Sequence, residues 1–285
     1  LTACGLCRPD RTETCSSVGG MADEPHILVE RDGHVLTVTL NRPEAKNAFS
    51  PSMLVGAADA WKLLDEDPEL RVGILTGAGG DFCSGMDLTA LATGFSEEEM
   101  ARMAEDPDLH WKALLRHFRP SKPLIAAIEG YCVAGGTEIL QATEIRVAAE
   151  SAQLGIAEVR RGLFPLGGST VRLQRQIGFT MAADLLLTGR LISAQEAKEI
   201  GLIGHVVPDG QALAKAREIA AQIAENGPLA VAAVLKSMRE TAGMTEADGL
   251  ARELEIGEPI IFNTNDAKEG PRAFKEKRKP NFTGT

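Results

Sequence analysis

Residue types suited to acid–base and oxyanion chemistry lie within four residues of each other in the middle of the chain. Gly135 and Gly136 follow an apolar run at 123–128 whose branched residues are typical of a buried strand, and a helical pattern begins at about Thr137. A turn of small residues between a strand and a helix directs free backbone N–H groups at an anion. Glu138 falls in the first helical turn, where the helix dipole favours a carboxylate. The stretch therefore offers an oxyanion donor beside a candidate acid or base.

A second glycine-rich stretch follows another predicted strand. Residues 71–77 are typical of a short buried strand, and they lead into the run 77–80, as a strand leads into a nucleotide-binding loop. The run lacks the Gly-Lys-Ser/Thr ending of a P-loop, and Phe82 stands where a dinucleotide-binding fingerprint requires its third glycine. The sequence therefore argues against the usual kinds of nucleotide-phosphate site here.

The elements that must position these residues alternate between short strands and helices. Residues 27–40 are predicted to form a hairpin with Asp32-Gly33 at its turn. Ser50-Pro51 is predicted to cap and open a helix, because serine favours the N-cap and proline the first helical position. The polar stretch 89–120 is predicted to be a mobile, helical excursion, and after about Pro208 only helical patterns remain. This alternation predicts an α/β core followed by a helical C-terminal region.

Composition excludes several classes of partner. The chain has 285 residues, with 40 acidic and 30 basic side chains and a net charge of −10. An acidic balance argues against a nucleic-acid surface, since that affinity comes mostly from neutralising phosphates. No apolar run reaches the roughly 18–20 residues that a membrane-spanning helix needs. Unpaired internal cysteines and the lack of a secretory signal predict a cytoplasmic protein.

The first twenty residues differ from the rest of the chain. They show no periodicity and contain three of the five cysteines, and Cys4 and Cys7 resemble half of a zinc site without a second pair at zinc spacing. Met21 has the look of a natural start. We therefore expect 1–20 to be a disordered extension outside the fold, 21–208 to be the core, and 209–285 to be the helical C-terminal region.

Three segments in chain order resemble the crotonase (enoyl-CoA hydratase/isomerase) superfamily. Residues 40–48 are similar to its CoA-contacting segment, 82–88 to its first oxyanion-hole motif and 130–138 to its second. Further similarity at 187–202 and 266–280 extends the resemblance over about 25–282. It implies an α/β fold in which a spiral of repeated ββα units precedes a C-terminal helical trimerisation region. It also implies a homo-oligomer, a trimer or a hexamer made as a dimer of trimers.

The resemblance implies a role for each motif residue at the reacting centre. The backbone N–H groups of Met86 and Gly135 would hold the thioester carbonyl oxygen, on which negative charge develops as the enolate forms. Glu138 would activate a water molecule, and Glu158 would protonate the α-carbon. No metal and no cofactor beyond the coenzyme A of the substrate are implied. Two other acidic residues in this neighbourhood, Glu144 and Glu150, match no motif and are expected at the surface.

Further positions are expected to contact the acyl-CoA substrate. Leu166 and Ile156 stand where hydratases commonly carry glycine or a polar residue, so the pocket is expected to be apolar, with 89–120 lying over it. The mobility expected of 89–120 gives the hypothesis of a substrate larger than a straight short chain, with a branched or polycyclic acyl group. Lys46, with Lys275 or Lys279, is a candidate for the CoA phosphates. The expected substrate-binding residues are Ala45, Lys46, Ala48, Ser84, Gly85, Asp87, Leu88, Gly136, Ile156, Leu166, Phe262 and Lys275.

The expected function is that of an enoyl-CoA hydratase, which adds water across the 2,3 double bond of an enoyl-CoA thioester in fatty acid or related acyl-CoA degradation. Two glutamates at the motif positions favour hydration, since each carboxylate can serve one of the two proton transfers. Two alternatives stay open: an enoyl-CoA isomerase, which needs one base, and a catalytically silent acyl-CoA-binding protein.

Overall fold

The computed structural model describes residues 25–89 and 94–285. The predicted extension 1–20 and part of the predicted excursion 89–120 lie outside the described residues. Among the described residues, we find no helix with the length and apolar character required to cross a membrane.

Two sheets form the centre of the fold. The first has the order β1-β2-β3-β4-β6-β9, in which β1 and β2 are antiparallel and the remaining neighbours are parallel. The second has the order β5-β7-β8, with a parallel and an antiparallel pair. The strands are β1 Ile27–Asp32, β2 Val35–Leu40, β3 Val72–Gly77, β4 Leu124–Ile128, β5 Tyr131–Val133, β6 Ile145–Ala149, β7 Gln153–Gly155, β8 Ile192–Ser193 and β9 His205–Val207.

Helices follow the strands and dominate the C-terminal third. Short 3-10 turns occupy Pro43–Ala45 and Glu158–Arg161. The described α-helices are α1 Pro51–Glu66, α2 Glu97–Glu105, α3 Leu109–Ala113, α4 Gly135–Leu140, α5 Ser169–Ile177, α6 Phe179–Thr188, α7 Ala194–Glu199, α8 Ala212–Ala224, α9 Pro228–Glu240, α10 Glu246–Asn263 and α11 Asp266–Glu276. The predicted α/β core and the helices after it are therefore confirmed.

The first hairpin turns one residue later than predicted. Asp32 pairs with Val35, so the two-residue turn is Gly33-His34 rather than Asp32-Gly33. Gly33 takes φ +55, the left-handed conformation that the first position of such a turn requires and that glycine adopts without strain. The glycine, not the aspartate, decides where this chain turns.

The central strands are buried on both faces, as parallel strands usually are. Along β3, Leu75 faces the side covered by α1, whereas Val72 and Ile74 pack with α8 on the other side. A stripe of buried alanines lets α8 lie close to the sheet: Ala212, Ala216 and Ala220. The division of the chain at 208 stays a prediction. Helix α8 follows residue 208 in the chain, yet it packs into the core of the main sheet.

Helices α1, α2 and α3 form one wall beside the sheet. Ser50 caps α1 as predicted, its Oγ accepting the Met53 N–H at 3.2 Å. The indole of Trp61 donates to the Ala113 carbonyl at 2.9 Å, which fixes α3 to α1. Ser96 and Glu99 form a capping box at the start of α2. The polar residues of this wall thus hold the helices in place while their apolar side chains face inward.

Candidate active site

Two loops run side by side at the ends of the sheets and build one wall of a cavity. The backbone N–H of Cys83 donates to the Tyr131 carbonyl at 2.9 Å, and the backbone N–H of Val133 donates to the Cys83 carbonyl at 2.9 Å. A Cβ at Gly136 would overlap the Cys83 carbonyl, so only glycine permits this approach. The loops 82–88 and 130–138 therefore form one unit, as two halves of an oxyanion site must.

The two backbone donors expected from the sequence come together in this unit. A Cβ built on Gly135 would lie 3.6 Å from the Met86 nitrogen, and one built on Gly85 would lie 3.2 Å from the Gly135 nitrogen. Among the described residues, neither the Met86 N–H nor the Gly135 N–H has a hydrogen-bond acceptor. Both residues line the cavity. The arrangement leaves two neighbouring donors free for a ligand oxygen.

A strained residue directs one of these donors. Ala134 has φ +50 and ψ −125, a conformation that non-glycine residues rarely adopt and that costs of order 1–3 kcal/mol. Its N–H donates to the Gly155 carbonyl at 2.8 Å and its carbonyl accepts the Glu138 N–H at 3.0 Å, so bonds on both sides hold it there. The strain turns the peptide that carries the Gly135 N–H. Sequence reasoning missed it, because alanine gives no local signal for this conformation.

The cavity has a volume of about 760 Å³ and a mostly apolar lining. Helix α1 supplies Leu54, and α2, α3 and the residue after α3 supply Met103, Trp111 and Leu114, which lie in the stretch 89–120. The loop before α5 supplies Leu163, Phe164 and Leu166. Two carboxylates, Glu138 and Glu158, interrupt this apolar surface beside the free N–H groups.

Glu138 is held from several sides. It lies in the first turn of α4 and is 6% exposed. The Ser169 N–H donates to its Oε1 at 3.3 Å, and the nearby Gly167 N–H and Ser169 hydroxyl act to lower its pKa. Burial raises the pKa of Glu138, while these bonds and the Arg172 charge oppose that rise. Donors to a carboxylate favour its ionised form, which is the form that accepts a proton.

Glu158 lies in a different environment. It begins a 3-10 turn, and among the described residues its buried Oε2 has no hydrogen-bond partner. Burial raises its pKa to about 7, and the neighbouring charge of Glu138 adds to the rise. The orphaned oxygen and the raised pKa favour the protonated form, which can donate. One carboxylate is thus suited to accept a proton and the other to give one.

The raised pKa of Glu158 predicts how stability depends on pH. Between the ordinary value of 4.5 and about 7, the folded protein keeps a proton that the unfolded chain releases. The contribution of Glu158 to the free energy of unfolding is therefore largest below pH 4.5. It decreases as the pH rises from 4.5 to about 7. Glu158→Gln removes the decrease, so its Tm relative to the unmodified protein should be higher at pH 8 than at pH 5.

Thermal unfolding at these two pH values checks this prediction, with Glu150→Gln as the control. Glu150 is exposed, so its substitution should give the same Tm difference at both pH values. An equal Tm difference for Glu158→Gln at pH 5 and pH 8 contradicts the assignment of the raised pKa.

Five of the expected binding residues divide into two groups. Ser84, Leu88 and Leu166 line the cavity. Ile156 and Gly136 are buried and stand outside the described lining, since Ile156 packs into the main core and Gly136 against the other loop. The expectation that Ile156 shapes the pocket therefore has no direct contact in its favour.

The expected CoA segment runs beside the first of the two loops, with Lys46 at the surface. Lys46 is half-exposed, with its Nζ 4.0 Å from the centre of the Tyr131 ring and 3.5 Å from Asp81. The Ala45 carbonyl accepts the Ser84 hydroxyl at 3.2 Å, which joins this segment to the first loop.

Arg42 is a second cation that makes hydrogen bonds within the same segment. Arg42 donates to the carbonyl of buried Ala48 at 2.8 Å and to the carboxylate of Asp87 at 3.0 Å. Asp87 thus joins the expected CoA segment to the first loop. Phe262 is 69% exposed and Lys275 is exposed, each on a C-terminal helix away from the described cavity lining.

One carboxylate was misjudged from the sequence. Glu144 was expected at the surface, but its Oε2 accepts the Leu124 N–H at 2.9 Å, and Oε1 contacts Arg119 at 2.8 Å and Arg239 at 2.7 Å. The prediction was wrong because these partners converge from distant parts of the chain. Glu150 is exposed as predicted.

Comparison with known proteins places these features in one family. A family model described as enoyl-CoA hydratase/isomerase matches residues 30–285. The chain is 57% identical over 258 residues to the Mycobacterium tuberculosis protein named enoyl-CoA hydratase EchA19, covering 90% of this chain and 96% of that protein. It is 34% identical over 258 residues to the 2,3-dehydroadipyl-CoA hydratase of Escherichia coli, covering 90% and 98% respectively. The solved structure of enoyl-CoA hydratase EchA1 from Mycobacterium marinum matches with TM-score 0.84 and 45% identity, covering 92% of this chain and 100% of that one.

Proposed function

The chain belongs to the enoyl-CoA hydratase/isomerase family and has the crotonase fold, and on this basis we propose that it is an enoyl-CoA hydratase. It adds water across the 2,3 double bond of an enoyl-CoA thioester, in fatty acid or related acyl-CoA degradation. One observation carries the proposal. Two carboxylates in contrasting environments, Glu138 and Glu158, line one apolar cavity beside two free backbone N–H groups.

The proposed reaction begins at the thioester. Its carbonyl oxygen accepts hydrogen bonds from the N–H groups of Met86 and Gly135, which stabilise negative charge on that oxygen. Ionised Glu138 removes a proton from water as the water oxygen bonds to C3, and the electrons of the double bond move towards the thioester oxygen. Protonated Glu158 then gives its proton to C2.

One hydroxyl group and one hydrogen are thereby added to the double bond. The reaction leaves the proton from water on Glu138 and leaves Glu158 ionised. A proton must return from Glu138 to Glu158, directly or through solvent, before the next turnover. No cofactor beyond the coenzyme A of the substrate enters these steps, because protein carboxylates carry both protons.

The size of the cavity bears on the acyl group. A volume of about 760 Å³ lined by apolar side chains exceeds what the four carbons of a crotonyl group fill. We therefore propose an acyl group larger than crotonyl, branched or polycyclic, lying against α1 to α3. Each additional buried methylene contributes about 0.8 kcal/mol, roughly fourfold in kcat/KM while the pocket still has room.

The test is steady-state hydration of a series of (2E)-enoyl-CoA substrates from crotonyl-CoA to bulky acyl groups. We expect 3-hydroxyacyl-CoA products that carry oxygen from labelled water, with kcat/KM rising with acyl size. Double-bond migration without addition of water supports the isomerase, and binding without turnover supports the silent acyl-CoA-binding protein. Clear preference for crotonyl-CoA contradicts the larger acyl group alone.

We also propose a trimer, or a hexamer of two trimers, and a cytoplasmic location. Large apolar side chains are exposed on the C-terminal helices, among them Met238, Leu254, Phe262 and Phe274, and a second copy would cover them. Sedimentation equilibrium that finds a monomer contradicts the oligomer.

The location rests on two free buried cysteines, Cys83 and Cys132, and cell fractionation checks it.

A further inference from the structure

Arg172 joins parts of the active site that are distant in the sequence. It lies in α5 and is not among the described residues that line the cavity. Its Nη2 donates to the Leu115 carbonyl at 2.6 Å, and its Nη1 makes a longer contact of 3.4 Å with the Gly167 carbonyl. Leu115 follows α3 and has φ +54, so the arginine holds a strained end of the cavity wall.

The turn formed by Gly167 and Gly168 lies between two opposite charges. A Cβ at Gly167 would lie 2.6 Å from Oε2 of Glu138, so the carboxylate rests directly against one side of this turn. A Cβ at Gly168 would lie 3.3 Å from the guanidinium carbon of Arg172, so the cation rests against the other side. The Ser169 N–H beside this turn donates to Oε1 of the carboxylate, and the Gly167 N–H within the turn acts to lower the pKa of Glu138. Movement of this turn would therefore move the donors of Glu138.

We propose that Arg172 is a positioning residue for Glu138. It fixes the 167–169 turn to the end of α3 and so holds the carboxylate and its N–H donors in the geometry for attack by water. This inference rests on the proposed hydratase function. It adds a residue that touches no substrate and that connects the wall of the acyl pocket to the base.

The charges around the pair support a cation at this place. Glu138 faces Arg172 from α5 and Glu158 from the 3-10 turn, while Arg172 also faces Arg116 and Arg119 from the segment after α3. Burial lowers the pKa of Arg172 to about 10, which leaves it charged at neutral pH. Its charge lowers the pKa of Glu138 and so favours the ionised base. Loss of Arg172 should therefore move the acidic limb of the pH profile to higher pH.

The experiment compares Arg172→Met and Arg172→Lys with Arg175→Met, an exposed arginine on the same helix. Arg172→Met should lower kcat by about 10- to 10²-fold, since small misplacement of a catalytic group has effects of this size. KM should change by less than about twofold, because no substrate contact is lost. Arg172→Lys should restore the acidic limb and part of kcat, and Arg175→Met should match the unmodified protein.

A double-mutant cycle separates positioning from folding. In a Glu138→Gln background, Arg172→Met should cause little further loss, since the group it positions is already gone. An equal loss in both backgrounds, or a lower Tm with an unchanged pH profile, overturns the inference. NMR titration of ¹³C-labelled glutamate carboxyls, with Glu138 identified by Glu138→Gln, gives a readout independent of turnover. A raised Glu138 pKa in Arg172→Met supports the inference even if no hydration is found, and an unchanged pKa overturns it.

Discussion

Replacing Glu158 with glutamine is expected to lower kcat for enoyl-CoA hydration by about 10²- to 10⁴-fold, the range for loss of a positioned general acid. Glutamine keeps the shape of the side chain but has no acidic proton to give to C2. The burial that raises the Glu158 pKa to about 7 also predicts that kcat/KM of the unmodified protein decreases above about pH 7, as the acid ionises. In Glu158→Gln, this alkaline limb should disappear from the residual activity.

Glu138→Gln should cause a loss of similar size, because hydration needs a base for the water as well as an acid for the carbon. Glu150→Gln provides the matched control, since it removes an exposed carboxylate from the same region. Steady-state assays of 3-hydroxyacyl-CoA formation measure kcat for all three variants. Full hydration activity in either active-site variant would falsify the proposed two-carboxylate mechanism, and loss in only one, with double-bond migration retained, would favour the isomerase.

Gly167→Ala is expected to lower kcat by about 10²-fold while leaving the protein folded, because it displaces a catalytic group by about the width of a methyl. The new Cβ would lie 2.6 Å from Oε2, 2.8 Å from Cδ and 2.9 Å from Cβ of Glu138, too close for all of them to stay. The carboxylate must leave its Ser169 N–H donor. Gly167 lies outside the set of residues with positive φ, so alanine can adopt its backbone conformation.

Gly257→Ala controls for the added methyl group. Gly257 lies inside α10, and apart from its chain neighbours and the backbone of its own helix no described atom lies within 4 Å of a built Cβ; such a change typically stabilises a helix by about 0.4–1 kcal/mol. Its kcat should match that of the unmodified protein. Circular dichroism and Tm establish that Gly167→Ala is folded, and normal kcat in a folded Gly167→Ala protein contradicts the placement of Glu138 against the turn.

Local features of the fold could be predicted because their causes are local. The N-cap at Ser50 depends on residues a few positions apart and occurs as expected. The helix expected to begin at about Thr137 begins two residues earlier, at Gly135, because Ala134 makes the turn instead of the glycines. The hairpin turn differed by one residue because Asp-Gly and Gly-His are both compatible with a two-residue turn, and the pairing of β1 with β2 decides between them. Sequence patterns locate such elements better than they fix the register between them.

The surroundings of the candidate catalytic side chains could not be predicted, because they depend on pairs far apart in the chain. Glu138 could be singled out from its motif, yet its contacts with Gly167 and Ser169 cross about thirty residues of sequence. Ile156 was expected to line the acyl pocket and packs into the main core, because residue type alone does not say whether a side chain faces a cavity or the core. The roles assigned to the site residues remain predictions, which the variants described above test.

The order of strands in the main sheet has a consequence for how the chain folds as it is made. β1, β2, β3, β4, β6 and β9 join in the same order in which a ribosome releases them, so the sheet can grow at one edge. One face of the sheet is covered later in synthesis, because the helix that packs on it, α8, ends only at Ala224. A nascent chain that stops before residue 212 has every strand of the sheet but leaves Val72, Ile74 and Ile125 without their cover. Chains truncated there should be held by chaperones or aggregate, whereas chains that include α8 should escape.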